Sequence, residues 1–247
     1  MELGKKINLY YEKTGVKAIW QGGESHPLTG FSFNAVSNYE KAMGRNLLRV
    51  ISCNTTGLCR VISQIDSEVG VKKVRVTVAR RAVDPNDIKK EPVNAIVLHP
   101  VKLPSHHGPD VKSVLPNINI TSAALIVPTT LMRLHTVNME VNTDCTAEDI
   151  KKIFSTQSRI HFVGQGITST AEIMEVARDI KRPRNDMWEN CIWPESITVN
   201  EQELYFFQAI HQESIVVPEN VDAIRAMMEL ESEGAKSIEK TNKAIGM

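Results

Sequence analysis

Cys53 stands where a short apolar run, Arg49-Val50-Ile51-Ser52, gives way to an amphipathic stretch that opens with Asn54-Thr55-Thr56-Gly57 and reaches about Gly70. That pattern predicts a strand ending and a helix beginning at the cysteine. In open α/β sheets, ligands bind at the carboxyl ends of strands. The free N–H groups and dipole of a helix N-terminus favour negative charge, and thiols placed there ionise more readily than ordinary ones. Cys53 is therefore the candidate nucleophile; the alternative is a small buried cysteine. Cys59, Cys145 and Cys191 lack such a context.

Other residues suit anions or amides. Arg80-Arg81 closes an alternating strand, and two guanidiniums at a strand end suit a phosphate or carboxylate, or simply face solvent. Ser105-His106-His107-Gly108-Pro109-Asp110 reads as a polar turn with two imidazoles, for an anion or, with His99, a metal. Adjacent strand histidines point to opposite faces, and no HExxH or cysteine pair supports zinc, so no metal site is assigned. Gly164-Gln165-Gly166-Ile167-Thr168-Ser169 imitates a dinucleotide fingerprint, but Ser169 replaces its third glycine, and a plain strand–loop–helix connection is preferred. Gln208 to Ser214 groups amides and His211 after a strand, facing a ligand or capping the strand end.

The elements that must position these groups follow from periodicity. Residues 4–14 have helical spacing and end at Gly15; 16–20 and 49–52 read as strands. Val74, Val76 and Val78 alternate with Lys73, Arg75 and Thr77, predicting a half-buried strand over 71–79. Further strands are expected at 125–141 (broken at Pro128), 160–163 and 192–207, with helices at 146–155, 169–180 and 218–230. The last dozen residues are charged and expected to face solvent. The fold class is α/β plus α+β: a Rossmann-like segment with an α+β domain on a mainly antiparallel sheet.

The sequence has 247 residues with 29 basic and 29 acidic side chains, so net charge gives no case for nucleic acid or an anionic membrane. No apolar run approaches the roughly 20 residues of a membrane span. Four cysteines without CxxC give no disulfide framework, and a reduced, cytoplasmic protein is the default.

In order along the chain, several particular motifs resemble the archaeal type of phosphorylating glyceraldehyde-3-phosphate dehydrogenase. They are Gln21-Gly22-Gly23-Glu24, Ser52-Cys53-Asn54-Thr55-Thr56-Gly57-Leu58, Arg80-Arg81 with Asp84-Pro85, and Pro104 to Asp110. Val127-Pro128-Thr129-Thr130, His211-Gln212-Glu213-Ser214 and Pro218 to Ala226 complete the set. The resemblance implies Cys53 as the nucleophile that captures the aldehyde and passes through a thioester to an acyl phosphate. It implies substrate contacts from Ser52, Cys53, Asn54, His107 and Gly108, and cofactor contacts from Gly23, Arg81 and Gln212. NADP or NAD would be the cofactor, glyceraldehyde 3-phosphate and inorganic phosphate the ligands, and a homotetramer the assembly. Such proteins open with a strand, a GxGxxG-type loop and a helix. Residues 1–52 are accordingly expected to be the later part of a nucleotide-binding domain, 53–212 a catalytic domain, and 213–247 a C-terminal helix returning to the first. The family's base histidine is expected directly after Met132, where this chain has Arg133. A guanidinium cannot accept a proton there, and His135 lies two residues on. A second reading is therefore a non-catalytic homologue serving as an interaction or structural subunit.

Overall fold

The computed structural model describes residues 2–82 and 94–247; the Asp84-Pro85 motif lies outside the described residues. The first helix, α1 (Glu2–Thr14), ends at Gly15, whose φ of +68° suits glycine. Three short strands follow: β1 (Ala18–Gln21), β2 (Ser32–Phe33) and β3 (Leu47–Val50). They form a parallel sheet in the order β1-β3-β2. The short helices α2 (His26–Thr29) and α3 (Ala35–Asn38) lie between β1 and β3.

From β3 the chain passes into α4 (Cys53–Val69), the 17-residue helix on which the rest is built. Its apolar face, Leu58, Val61, Ile62 and Ile65, is fully buried against the large sheet. That sheet contains β4 (Val71–Arg81), β5 (Val97–Leu98), β6 (Ile120–Val127), β7 (Arg133–Val141), β8 (Ile160–Phe162), β9 (Asn190–Ile192) and β11 (Glu203–Ile210). The order is β5-β6-β4-β7-β11-β9-β8, and β10 (Thr198–Asn200) adds to β11. Among the described residues only β4–β6 and β8–β9 pair in parallel, so the sheet is mixed and mainly antiparallel.

Alternation across the register separates the two faces. Val76, Val137 and Phe206 align in one cross-strand row, Val74, Met139 and Leu204 in the next, and all point toward α4. The helix α6 (Ala147–Ser155), opened by a Thr146–Asp149 capping box, adds Ile150 and Phe154 to this core, with Phe154 edge-on to Phe206. The helix α5 (His107–Lys112) packs on α4 and β6, where the sequence reads only as a turn. The glycine-rich decoy is a loop before α7 (Thr170–Asp179), and Ser169 caps that helix in a box with Glu172.

A second core joins the first strands to the chain's end. Phe33, Tyr39, Leu48 and Val50 pack with Ile215, Ala223, Ala226 and Met227, the last three on α8 (Val217–Met227). One expectation is corrected here. The final residues are not a solvated tail but a helix, α9 (Gly234–Ile245), which buries Ser237, Thr241 and Asn242. The inward face is polar because it meets buried ions. Ser237 and Thr241 hydroxyls donate to Asp222, and Asn242 Oδ1 accepts from Arg159. Periodicity that tracks apolar residues is blind to such a face.

Candidate active site

The carboxyl end of β3 runs through Ser52 into the first residue of α4, which is Cys53. Ser52 holds extended geometry as N-cap, yet its hydroxyl bonds Thr55 Oγ1 at 2.9 Å rather than a backbone N–H. Thr55 Oγ1 in turn donates to Asp110 Oδ2 at 2.7 Å, and Arg49 Nη2 donates to Asp110 Oδ1 at 2.6 Å. Strand β3, the first turn of α4 and α5 are thereby fastened together around the cysteine. The first-turn amides of α4 have no intrahelical acceptor.

Cys53 lines a cavity of about 520 Å³. On one side are Gln21, Gly22 and Gly23 at the carboxyl edge of the parallel sheet; on another are Arg80, His106, His107 and Arg133; Gln212, Glu213 and Asn220 complete the walls. A Cβ on Gly23 would meet nothing within 4 Å, so open backbone faces the cavity there.

Ser52, Cys53, Asn54, His107, Gly23 and Gln212 thus come together around one space. Gly108 and Arg81 stand behind it. Gly108 N–H donates to Ser122 Oγ at 2.8 Å, and a Cβ there would lie 3.1 Å from that oxygen, so glycine permits α5 to sit close on β6. Arg81 reaches Glu213, 3.9 Å away on the rim, while Arg80, one residue earlier, lines the cavity. Consecutive strand residues point to opposite faces, which is why one arginine of the pair enters and the other does not. Asn220 is a wall that sequence reasoning did not single out, although it lies within the Pro218–Ala226 motif.

Behind Cys53, the Asn54 side chain is gripped from both ends. Its Nδ2 donates to His107 Nε2 at 3.0 Å, and its Oδ1 accepts from His135 Nε2 at 3.1 Å. His107 Nδ1 faces Ser105 Oγ at 3.1 Å, and His135 Nδ1 accepts from Gln208 Nε2 at 3.0 Å. With the amides oriented this way, each imidazole carries one proton and uses both nitrogens. Burial, then the neighbouring His106, pushes His107 down to about 2; burial, then Arg133, pushes His135 down to about 3. Both are neutral at pH 7.

Arg133 begins β7, opposite Ile210 of β11, and its guanidinium donates to the Gln212 side-chain oxygen. His135, one pleat further, is fully buried and sealed from the cavity by Asn54. The position where a base is expected therefore holds a cation, and the nearby imidazole is committed to Asn54. The cavity holds a thiol at a helix head, guanidiniums that suit anions, and open backbone at the carboxyl edge of a parallel sheet.

Residues 52–201 match the family model described as glyceraldehyde 3-phosphate dehydrogenase, C-terminal domain. The chain is 84% identical over 245 residues to glyceraldehyde-3-phosphate dehydrogenase 1 of Methanosarcina acetivorans, covering 99% of this chain and 73% of that protein. It is 79% identical, with the same coverage, to the enzyme of Methanosarcina mazei. It is 54% identical over 239 residues to that of Methanobrevibacter smithii, covering 96% of this chain and 71% of that protein. The chain belongs to the glyceraldehyde-3-phosphate dehydrogenase family, whose activity calls for a nicotinamide nucleotide.

Proposed function

We propose that this protein oxidises glyceraldehyde 3-phosphate to 1,3-bisphosphoglycerate, or runs the reverse reaction, through a thioester on Cys53. The observation that carries this reading is Cys53 at the head of α4, in a cavity shared by Arg80, Arg133 and the Gly22-Gly23 backbone. Cys53 Sγ bonds to the aldehyde carbon, giving a thiohemiacetal. The first-turn amides of α4 stabilise the developing oxyanion. Oxidation leaves the thioester, and phosphate displaces it to give the acyl phosphate. Ser52, Asn54 and His107 flank the reacting carbon, and Gly108 sets the approach of His107's helix. The guanidiniums of Arg80 and Arg133 attract the phosphoryl groups.

A nicotinamide nucleotide, NAD or NADP, supplies the two-electron acceptor. The residues present fit its reactive end: Gly23 offers unobstructed backbone beside Cys53, Gln212 lies opposite, and Arg81 braces the rim through Glu213. The domain limits 1–52, 53–212 and 213–247 follow the same reading. So do a homotetrameric assembly and a cytoplasmic setting without nucleic acid or membrane partners. Among the described residues no helix is long and apolar enough to cross a membrane.

The second reading, a non-catalytic interaction or structural subunit, draws on Arg133 at the expected base position. Thiol chemistry separates the two. Burial pushes the Cys59 and Cys191 thiols up, and burial with Asp149 and Asp144 pushes Cys145 up. Substoichiometric iodoacetamide at pH 7, followed by peptide mass mapping, should label Cys53 at least tenfold faster than the other three. Glyceraldehyde 3-phosphate should slow that labelling. Uniform labelling without substrate protection would favour the subunit reading.

A further inference from the structure

Arg133 leaves the cavity needing another proton acceptor, and the walls narrow the choice. Seven histidines occur in the sequence, at 26, 99, 106, 107, 135, 161 and 211, all among the described residues. Only His106 and His107 line the cavity with Cys53. His107 uses both ring nitrogens on Ser105 and Asn54, and His135 uses both on Asn54 and Gln208. His211 accepts from Met187 N–H at 2.6 Å and turns its other nitrogen toward Asp186, away from the cavity walls. Glu213 also lines the cavity, but its carboxylate pairs with Arg184 at 3.0 Å and faces Arg81 at 3.9 Å.

His106 differs from all of these. Its ring packs on His107 with centroids 4.0 Å apart and meets His99 edge-on at 6.4 Å. Its residue is exposed, and among the described residues neither ring nitrogen makes a hydrogen bond. The charged and titratable groups that act on it are Arg80 of β4, Arg133 of β7, Asp110 of α5 and the neighbouring His99. Partial burial of the ring against His107, and then Arg80, hold the imidazole below its ordinary value, so it is neutral and able to take a proton at pH 7.

We infer that His106 is the general base of this chain, on the same wall of the cavity as Arg133, where the family keeps its histidine. The inference rests on the dehydrogenase reading. As Cys53 Sγ bonds to the aldehyde carbon, the thiol proton passes to His106 and is returned to the new alkoxide, giving the thiohemiacetal. As the carbon is oxidised by the nicotinamide nucleotide, the O–H bond breaks and His106 takes that proton. The imidazolium then releases it to solvent through its exposed edge. The adjacent guanidiniums make proton release easy, which suits a base that must be regenerated each cycle.

The test uses the full chain and iodoacetamide as the probe. His106→Asn should slow Cys53 alkylation at pH 7 by at least tenfold and shift its pH–rate profile upward. The His161→Asn control on remote β8 should leave both unchanged. His106→Gly should regain rate on addition of free imidazole, which a merely structural role would not produce. His106→Gln, with circular dichroism on each variant, guards against a folding defect. If His106→Asn and His106→Gln alkylate at the unaltered rate, the inference is overturned while the Cys53 reading stands. If Cys53 of the unaltered protein shows no preferential labelling, both fall together.

Discussion

Asn54 illustrates how a polar contact inside a protein sets its response to acid. The imidazoles that grip it titrate near 6.5 in an unfolded chain but at about 2 and about 3 in the fold. Burial similarly pushes His211 down to about 4. Between those values and 6.5 the unfolded chain binds more protons, so stability is fully present above about 6.5. It is lost as the pH falls, by up to about 1.4 kcal/mol per pH unit for each group. Urea unfolding at pH 7, 6 and 5 should show falling midpoints. His135→Gln should lower stability at pH 7 by about 1–3 kcal/mol, because it disturbs a buried amide pair. It should also flatten the slope below pH 6 by about one proton; equal slopes would show that His135 does not titrate with unfolding. Cys53 was legible in the sequence because a strand end and a helix start adjoin it. The part played by His135 was not, since it depends on the register that sets His135 opposite Gln208 and on a partner 81 residues away.

Helices α4, α8 and α9 are joined by charge rather than by apolar surface alone. Arg60 of α4 and Arg159 both reach Glu219 Oε1 of α8, at 2.8 and 3.1 Å, and Arg159 also bonds Asp222 at 2.5 Å. All four side chains are essentially without solvent access. Two buried guanidiniums face the two carboxylates, a third, Arg225, reaches Asp222 Oδ1 at 3.0 Å, and the Trp188 and Ile215 carbonyls accept further Arg60 donors. Removing one carboxylate charge leaves the cations uncompensated, which typically costs about 3–5 kcal/mol. Glu219→Gln should therefore lower the unfolding free energy by about that amount and loosen α8, as hydrogen exchange would report. A loss below about 1 kcal/mol would mean that water enters the site and that packing holds α8 instead. The apolar periodicity of α4 and α8 made those helices readable. The structure of α9 was hidden because its buried face is serine, threonine and asparagine, ordinary surface residues that become interior only beside Asp222 and Arg159.

At the scale of the molecule, the face of the large sheet opposite α4 is covered only in part among the described residues, where Ile173 and Ala177 of α7 pack on Cys191 and Ala209. The face toward α4 carries the Val74–Met139–Leu204 and Val76–Val137–Phe206 rows. The opposite face carries Thr121, Arg75, Asn138 and Tyr205 in one row and Ala123, Thr77, Thr136 and Phe207 in the next. Tyr205 and Phe207 are 42% and 46% exposed, and Leu98, Val101 and Leu103 are exposed as well. Aromatic residues set among threonine and asparagine match the composition of subunit interfaces better than that of a core. The proposed homotetramer would cover this face with a second copy. Sedimentation velocity should then show a species larger than the monomer. Tyr205→Glu with Phe207→Glu should shift it toward smaller species, because carboxylates facing each other across a symmetric contact repel and lose hydration. Since Phe206, the inward neighbour, stays in the core, the double variant should keep its helical and strand signal while it dissociates. An unchanged sedimentation profile would place the contact elsewhere and leave this face as surface.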